Sequence, residues 1–338
     1  MTDSPARELF ELGDFTFRSG VTLPEAKLAY VTYGELNAAR DNVVVFPTWW
    51  GGTEADIAWL IGPDGIDPAE YFVIVPHLFG NGVSSSPSNT PEPFARGRFP
   101  KHTIDDNVRA QHRLVTERFD VQRIQLVIGG SMGAMQAYQW GLSHGDLVER
   151  IMPCCGCAQV SPHCYVFTKG VQAALEADAA YNGGDYEAPP EVGIRAMARV
   201  WAGWALSQRW YWERKFEGLG HASVDAFLVD FFEAFFLTLD ANDMLSHLWT
   251  WQHGDLAATP GYDGDLVRAL GDIRAKAFVV PGERDMYFPP ENSAWEVAQL
   301  RNAELRIIPG LWGHFSEVGL DDDCSNFMRA TVRELLAS

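Results

Sequence analysis

The sequence predicts an α/β protein, a doubly wound and mostly parallel sheet interrupted by one long helical insertion. Three observations carry that prediction. Short runs rich in β-branched and aromatic residues alternate with helical patterns. Several of those runs are continuously apolar, as strands buried on both faces of a parallel sheet must be. Between about Ala158 and Gly271 the alternation stops and only helical patterns remain.

The strand candidates are residues 15–18 and 28–33, joined near Ser19-Gly20 as a hairpin, then 42–46, 71–75, 125–128, 151–155, 277–280 and 305–308. Helical patterns fall between them at 103–119, 132–143, 290–300 and 326–336. The insertion holds long helical segments at 165–179, 191–206, 223–236 and 242–251. It breaks at Asn182-Gly183-Gly184-Asp185 and restarts at Pro189-Pro190. Residues 1–157 and 272–338 are therefore expected to form the core, with 158–271 as a helical cap inserted after the sixth strand. Six of the twelve tryptophans (Trp201, Trp204, Trp210, Trp212, Trp249, Trp251) lie in that insertion, more aromatic surface than a thin cap facing water carries. Part of it is expected to line a pocket or a dimer interface.

The chain has 338 residues, 47% hydrophobic, 12% aromatic and 21% charged, which excludes a disordered chain. Its charge is 26 − 45 = −19. A field of that sign repels phosphate backbones and anionic lipid, so neither nucleic acid nor a membrane is an expected partner. The opening MTDSPARELFELGDF has no basic stretch followed by an apolar one, and no uncharged apolar run approaches the roughly 20 residues needed to cross a bilayer. A cytoplasmic location is the expectation. The cysteines are five, Cys154, Cys155, Cys157, Cys164 and Cys324, a poor framework for disulfides. Cys154 and Cys155 would point to opposite sides of one strand, so buried free thiols are expected rather than metal ligands, and no metal or cofactor is called for.

The chemistry lies in Gly129-Gly130-Ser131-Met132-Gly133, a G-x-S-x-G between an apolar strand and a helical pattern. Glycines on both sides let the chain turn sharply, and the turn lifts the serine hydroxyl to the positive end of the following helix. The Met132 N–H then points where an oxyanion would form. A serine hydroxyl is a poor nucleophile near neutral pH, so it needs a histidine base and a carboxylate to hold the histidine's tautomer. Both follow late strands, in Pro281-Gly282-Glu283-Arg284-Asp285 and Pro309-Gly310-Leu311-Trp312-Gly313-His314. Asp285 is preferred to Glu283 because it lies further into its loop. The loop Pro47-Thr48-Trp49-Trp50-Gly51-Gly52 should give the second oxyanion donor. Proline has no N–H, which leaves Thr48 or Trp49.

With these loops in place, the chain resembles the homoserine acetyltransferase family of α/β-hydrolases over nearly its whole length. The matching stretches are Tyr71-Phe72-Val73-Ile74 with Gly80-Asn81-Gly82, then Ser84-Ser85-Ser86-Pro87-Ser88-Asn89-Thr90. Gly129-Gly130-Ser131-Met132-Gly133 with Met135-Gln136, Asp285 with Phe288-Pro289-Pro290, and Gly313-His314 complete them. The resemblance implies an α/β-hydrolase fold, a Ser131–His314–Asp285 triad, an acyl-enzyme on Ser131, and a homodimer formed through the cap.

The departures point elsewhere. Where the family has an aspartate for the homoserine ammonium, Phe315 follows His314, and losing one partner of a buried pair typically costs roughly 3–5 kcal/mol. The family's oxyanion loop is replaced by Phe46-Pro47-Thr48-Trp49-Trp50-Gly51, and its Arg-Phe-Asp stretch by Thr238-Leu239-Asp240. Arg199 matches an arginine that holds the substrate carboxylate, while a nearby family tyrosine is Leu206. Trp49, Trp50, Phe315 and cap tryptophans are expected to wall a pocket for a small apolar ester. The expected function is therefore a serine esterase for short-chain, acetyl-type esters. The alternatives are an acyl-CoA-dependent O-acyltransferase such as homoserine O-acetyltransferase, and a hydrolase fold reused for binding.

Overall fold

The computed structural model describes residues 5–338; the first four residues of the opening stretch read above for a leader lie outside them. One eight-stranded sheet organises these residues. Its strands are β1 (Glu8–Thr16), β2 (Thr22–Tyr33), β3 (Val43–Val45), β4 (Phe72–Pro76), β5 (Ile124–Gly130), β6 (Arg150–Cys154), β7 (Lys276–Val279) and β8 (Ala303–Leu305). They lie in the order β1-β2-β4-β3-β5-β6-β7-β8. The pairs β1–β2 and β2–β4 are antiparallel, and every later pair is parallel.

The apolar strands earn their composition from two cores, one on each face. Val44, Val73, Val75, Leu126, Ile128 and Phe278 belong to one apolar cluster, and Val43, Val45, Ile74, Ile124, Val127, Ala277 and Val279 to the other. Successive side chains point to opposite faces, so a strand covered on both sides must be apolar at every position.

The two edges differ from the sequence expectation for the same reason. β1 begins at Glu8, not at residue 15, because Glu8, Leu9 and Glu11 face solvent on an edge strand and dilute the apolar signal. At the other edge β8 pairs through Ala303 and Leu305, and the apolar run 305–308 continues past the ladder with Ile307 41% exposed. The hairpin turn holds, with Gly20 at φ 83°.

Seven helices matter for the site: α1 (Ile104–Arg113), α2 (Met132–Ser143), α3 (Pro162–Glu176), α4 (Glu191–Ala205), α5 (Ala241–Gln252), α6 (Pro290–Val297) and α7 (Asp322–Leu336). Between β6 and β7 the chain is helical, with α3 packed on α4 and on α5. The break before α4 has Asn182, Gly183 and Gly184 at positive φ, and Pro190 caps the helix that follows. The single helix expected at 223–236 is instead three pieces, Val224–Phe227, a π-helical stretch Leu228–Glu233, and Ala234–Phe236. Among the described residues no helix is long and apolar enough to cross a membrane. All five cysteines are free and buried, and burial pushes the thiols of Cys154, Cys155 and Cys157 well above the usual range.

Candidate active site

β5 ends on Gly130 and α2 begins on Met132, so Ser131 is the single residue of the turn. It lies at φ 52°, ψ −117°, a conformation an L residue adopts only under constraint. The flanking glycines make it possible. A Cβ on Gly129 would lie 2.4 Å from the backbone of Gly133, and one on Gly130 would lie 2.2 Å from Glu317 Oε2. The Ser131 N–H is fixed to Cys154 O on β6 at 2.9 Å, which holds the hydroxyl above the sheet.

His314 and Asp285 meet this hydroxyl from the loops after β8 and β7. His314 Nε2 is 3.1 Å from Ser131 Oγ, and its Nδ1 is 2.8 Å from Asp285 Oδ2. With the ring proton on Nδ1 donated to Asp285, Nε2 accepts from the serine hydroxyl. Asp285 is itself oriented, because its Oδ1 accepts the N–H groups of Tyr287 (2.8 Å) and Phe288 (3.1 Å). All three side chains are buried. Glu283 is excluded from the relay: its Oε2 accepts from the Gly310 N–H at 2.9 Å, at the protein surface.

The two oxyanion candidates of the loop after β3 differ in how their N–H groups are hydrogen-bonded. The Thr48 N–H donates to Pro76 O on β4 at 3.3 Å. The Trp49 N–H has no acceptor among the described residues, and Met132, as the first residue of α2, lies outside the helix's own ladder. The loop is held rigidly. Gln136 Nε2 donates to Thr48 O (3.0 Å), Trp50 Nε1 to Met244 O (3.1 Å), and the Gly51 N–H to His247 Nδ1 (3.4 Å).

Above these groups lies a cavity of about 460 Å³ lined by Ser131, His314, Glu317 and Asp56 among a wall of aromatic rings. Trp49, Trp50 and Phe315 line it as the sequence suggested, together with Trp59. From the insertion come Trp201, Trp251, Phe231, Phe232, Phe235 and Phe236. Trp50 stacks on Trp201 with centroids 4.2 Å apart, joining the oxyanion loop to α4. The other four insertion tryptophans do not reach the cavity. Arg199 and Leu206, expected near the substrate, do not line this cavity. Arg199 lies on the exposed face of α4 and pairs with Glu233, which Arg195 also holds at 2.7 Å. Leu206 is buried in the apolar core behind the wall. None of the residues lining the cavity is a lysine or an arginine.

Sequence reasoning missed Glu317 and the phenylalanines. A carboxylate in a glycine-containing loop reads as solvated, but the turn Gly313–Glu317 folds Glu317 inward to 3% side-chain exposure, 3.8 Å from His314 Nε2. The phenylalanine pairs 231–232 and 235–236 recur four residues apart, the spacing of one helical face, which by itself reads as ordinary core packing. The π-helical stretch Leu228–Glu233 carries Phe231 and Phe232, the short helix after it carries Phe235 and Phe236, and all four line the cavity.

The geometry has counterparts among known proteins. The family described as alpha/beta hydrolase fold matches residues 41–317. An ethyl acetate hydrolase of Pseudomonas veronii is 35% identical over 335 residues, covering 98% of this chain and 95% of that protein. A crystal structure of an acetylester hydrolase from Corynebacterium glutamicum superposes with a TM-score of 0.96 at 35% identity, covering 98% of this chain and 96% of the other. A homoserine O-acetyltransferase of Chloroherpeton thalassium is 30% identical over 313 residues, 88% of this chain and 82% of that enzyme. From the strand order, the serine turn and these whole-chain likenesses, the chain belongs to the alpha/beta hydrolase fold family, in company with esterases and homoserine O-acetyltransferases.

Proposed function

We propose that this protein is a serine carboxylic-ester hydrolase acting on short-chain, acetyl-type esters. The observation that carries the reading is the wall of the cavity: mostly aromatic, without a lysine or arginine for a substrate carboxylate, and with Arg199 engaged by Glu233 outside it. A zwitterionic amino-acid acceptor would lose its ion pairs there, whereas a small apolar ester loses only water. The relatives named for hydrolysis of ethyl acetate and acetyl esters span the whole chain and favour the same substrate class.

The residues then act as follows. His314 Nε2 takes the Ser131 proton as Oγ attacks the acyl carbon, while Asp285 holds the imidazole and stabilises its charged form. The Met132 and Trp49 N–H groups stabilise the oxyanion. His314 returns the proton to the leaving alcohol, and an acyl group remains on Ser131. Water, deprotonated by His314, then attacks the acyl carbon, and the Ser131 Oγ leaves with the proton. The reading includes a cytoplasmic enzyme, with its five thiols free and buried. It also includes a homodimer through the insertion, where Tyr165, Val166, Val192 and Val200 expose apolar surface on α3 and α4.

The test is turnover of 4-nitrophenyl acetate with and without excess homoserine, in parallel with acetyl-CoA plus homoserine. Release of acetate that homoserine does not divert is expected. O-acetylhomoserine formed from acetyl-CoA would overturn the hydrolase reading in favour of acyl transfer. A protein that a fluorophosphonate probe leaves unlabelled would point to binding without catalysis.

A further inference from the structure

Glu317 lies where the relay has no use for it. Its carboxyl lines the cavity beside Ser131 and His314 with 3% of the side chain exposed. Oε2 is fully buried without a hydrogen-bond partner, packed over the Cα of Gly130, where a Cβ would lie 2.2 Å away. Oε1 is 3.8 Å from His314 Nε2, too far for a direct hydrogen bond. Burial, with the charge of Asp285 adding to it, pushes the carboxyl well above the usual range. A buried polar atom left without a partner inside an active site asks for a functional account.

We propose that Glu317 binds the water that hydrolyses the acyl-enzyme, accepting one of its protons in a hydrogen bond while His314 Nε2 accepts the other. The proposal rests on the hydrolase reading of the same site. Once Ser131 Oγ is esterified, Nε2 is free to accept from water. A water about 2.8 Å from both Nε2 and Oε1, atoms 3.8 Å apart, subtends roughly 85°. That is close enough to its own H–O–H angle for two good hydrogen bonds. The neighbouring wall of Trp201, Phe231, Phe232 and Phe315 offers a water no comparable acceptor. A water in an apolar cavity needs two or more polar partners to be held, and Glu317 supplies the second. The balance of deacylation is unchanged. The water oxygen bonds to the acyl carbon, one water proton passes to Nε2 and on to Ser131 Oγ as the Oγ–carbon bond breaks, and Glu317 neither gains nor loses a proton.

Water and methanol separate this role from simple packing. Water has two O–H groups, whereas methanol spends its only one on Nε2 and makes no demand on Glu317. The experiment mixes the enzyme with 4-nitrophenyl acetate in buffer containing methanol, follows decay of the acetyl-enzyme by intact mass, and measures acetate against methyl acetate. In Glu317→Leu, formation of the acetyl-enzyme should keep the wild-type rate while its hydrolysis slows about 10²-fold. The methyl acetate to acetate ratio should rise by a comparable factor. In Glu317→Gln, whose amide oxygen still accepts, both should return to within a few-fold of wild type. A ratio unchanged in Glu317→Leu, or acylation and hydrolysis slowed together, would overturn the proposal, as would Glu317→Gln behaving like Glu317→Leu. Wild type in the same assay tests the reading beneath: if it gives acetate, hydrolysis stands whatever the variants do.

Discussion

Ser131 combines a strained backbone with an unstrained task. At φ 52° its hydroxyl faces His314 Nε2 at 3.1 Å, and the strain is carried by neighbours that cannot yield. Ser131→Ala should lower kcat by about five to six orders of magnitude while leaving the thermal midpoint within a few degrees, since the replacement keeps the Cβ. Residual turnover near wild type would contradict a covalent mechanism. Asp285→Asn should cost about 10⁴-fold in kcat, because an amide does not hold the proton on Nδ1. Its neighbour Glu283, tied to the Gly310 N–H at the surface, is the control, and Glu283→Gln should leave kcat/KM unchanged. That Ser131, Asp285 and His314 come together was legible in the sequence because each sits at a turn after a strand, a local arrangement. Thr48 and Trp49 were not separable, since which amide is free depends on Pro76, 28 positions on from Thr48.

At the scale of elements, the serine turn and the helices of the insertion shape the site. A Cβ at Gly129 would meet the backbone of Gly133 at 2.4 Å, and backbone cannot step aside as a side-chain end can. Gly129→Ala should therefore destabilise by about 1–3 kcal/mol and lower kcat as well, read by denaturant unfolding and turnover together. A stable, fully active variant would mean that the turn relaxes more than its packing implies. Trp201 of α4, buried against Trp50, closes the cavity from the insertion side. Trp201→Ala should cost about 3–5 kcal/mol and shift preference from 4-nitrophenyl acetate towards the hexanoate as the wall recedes. The pattern at 191–206 showed where α4 lies. It showed neither that Trp201 faces the cavity nor that Arg199, two residues earlier, faces Glu233 and solvent.

The whole molecule is tied together at Glu296 of α6. Its Oε1 accepts the Ala158 N–H at 2.7 Å, where the insertion departs, and its Oε2 accepts the Tyr138 hydroxyl of α2 at 2.8 Å. Burial raises this carboxyl from 4.5 to about 7. The unfolded chain thus loses its proton from about pH 4.5 upward while the folded chain keeps it to about pH 7, and stability falls as pH rises through that window. The size is of order 3 kcal/mol. Glu296→Gln should flatten the decline of the thermal midpoint between about pH 4.5 and 7. Asp243, raised from 3.8 to about 7 chiefly by burial, and Glu317, also raised by burial, contribute slopes of the same sign, so part of the decline should remain in Glu296→Gln. A decline equally steep in Glu296→Gln would show that Glu296 is ionised in the folded protein.

By itself the sequence determined the doubly wound sheet, the helical insertion between β6 and β7, and the order serine, acid, histidine. These follow from apolar periodicity, glycine turns and strand ends, all written within a few residues of one another. The tertiary structure decided the rest: Trp49 over Thr48 as the free amide, Glu317 beside His314 Nε2, four phenylalanines in the cavity, and Arg199 outside it. Each of those outcomes is a contact between distant parts of the chain, such as Thr48 with Pro76, Arg199 with Glu233 or Glu317 with Gly130. No local period encodes such pairs, because they exist only once the sheet has brought its loops to one edge.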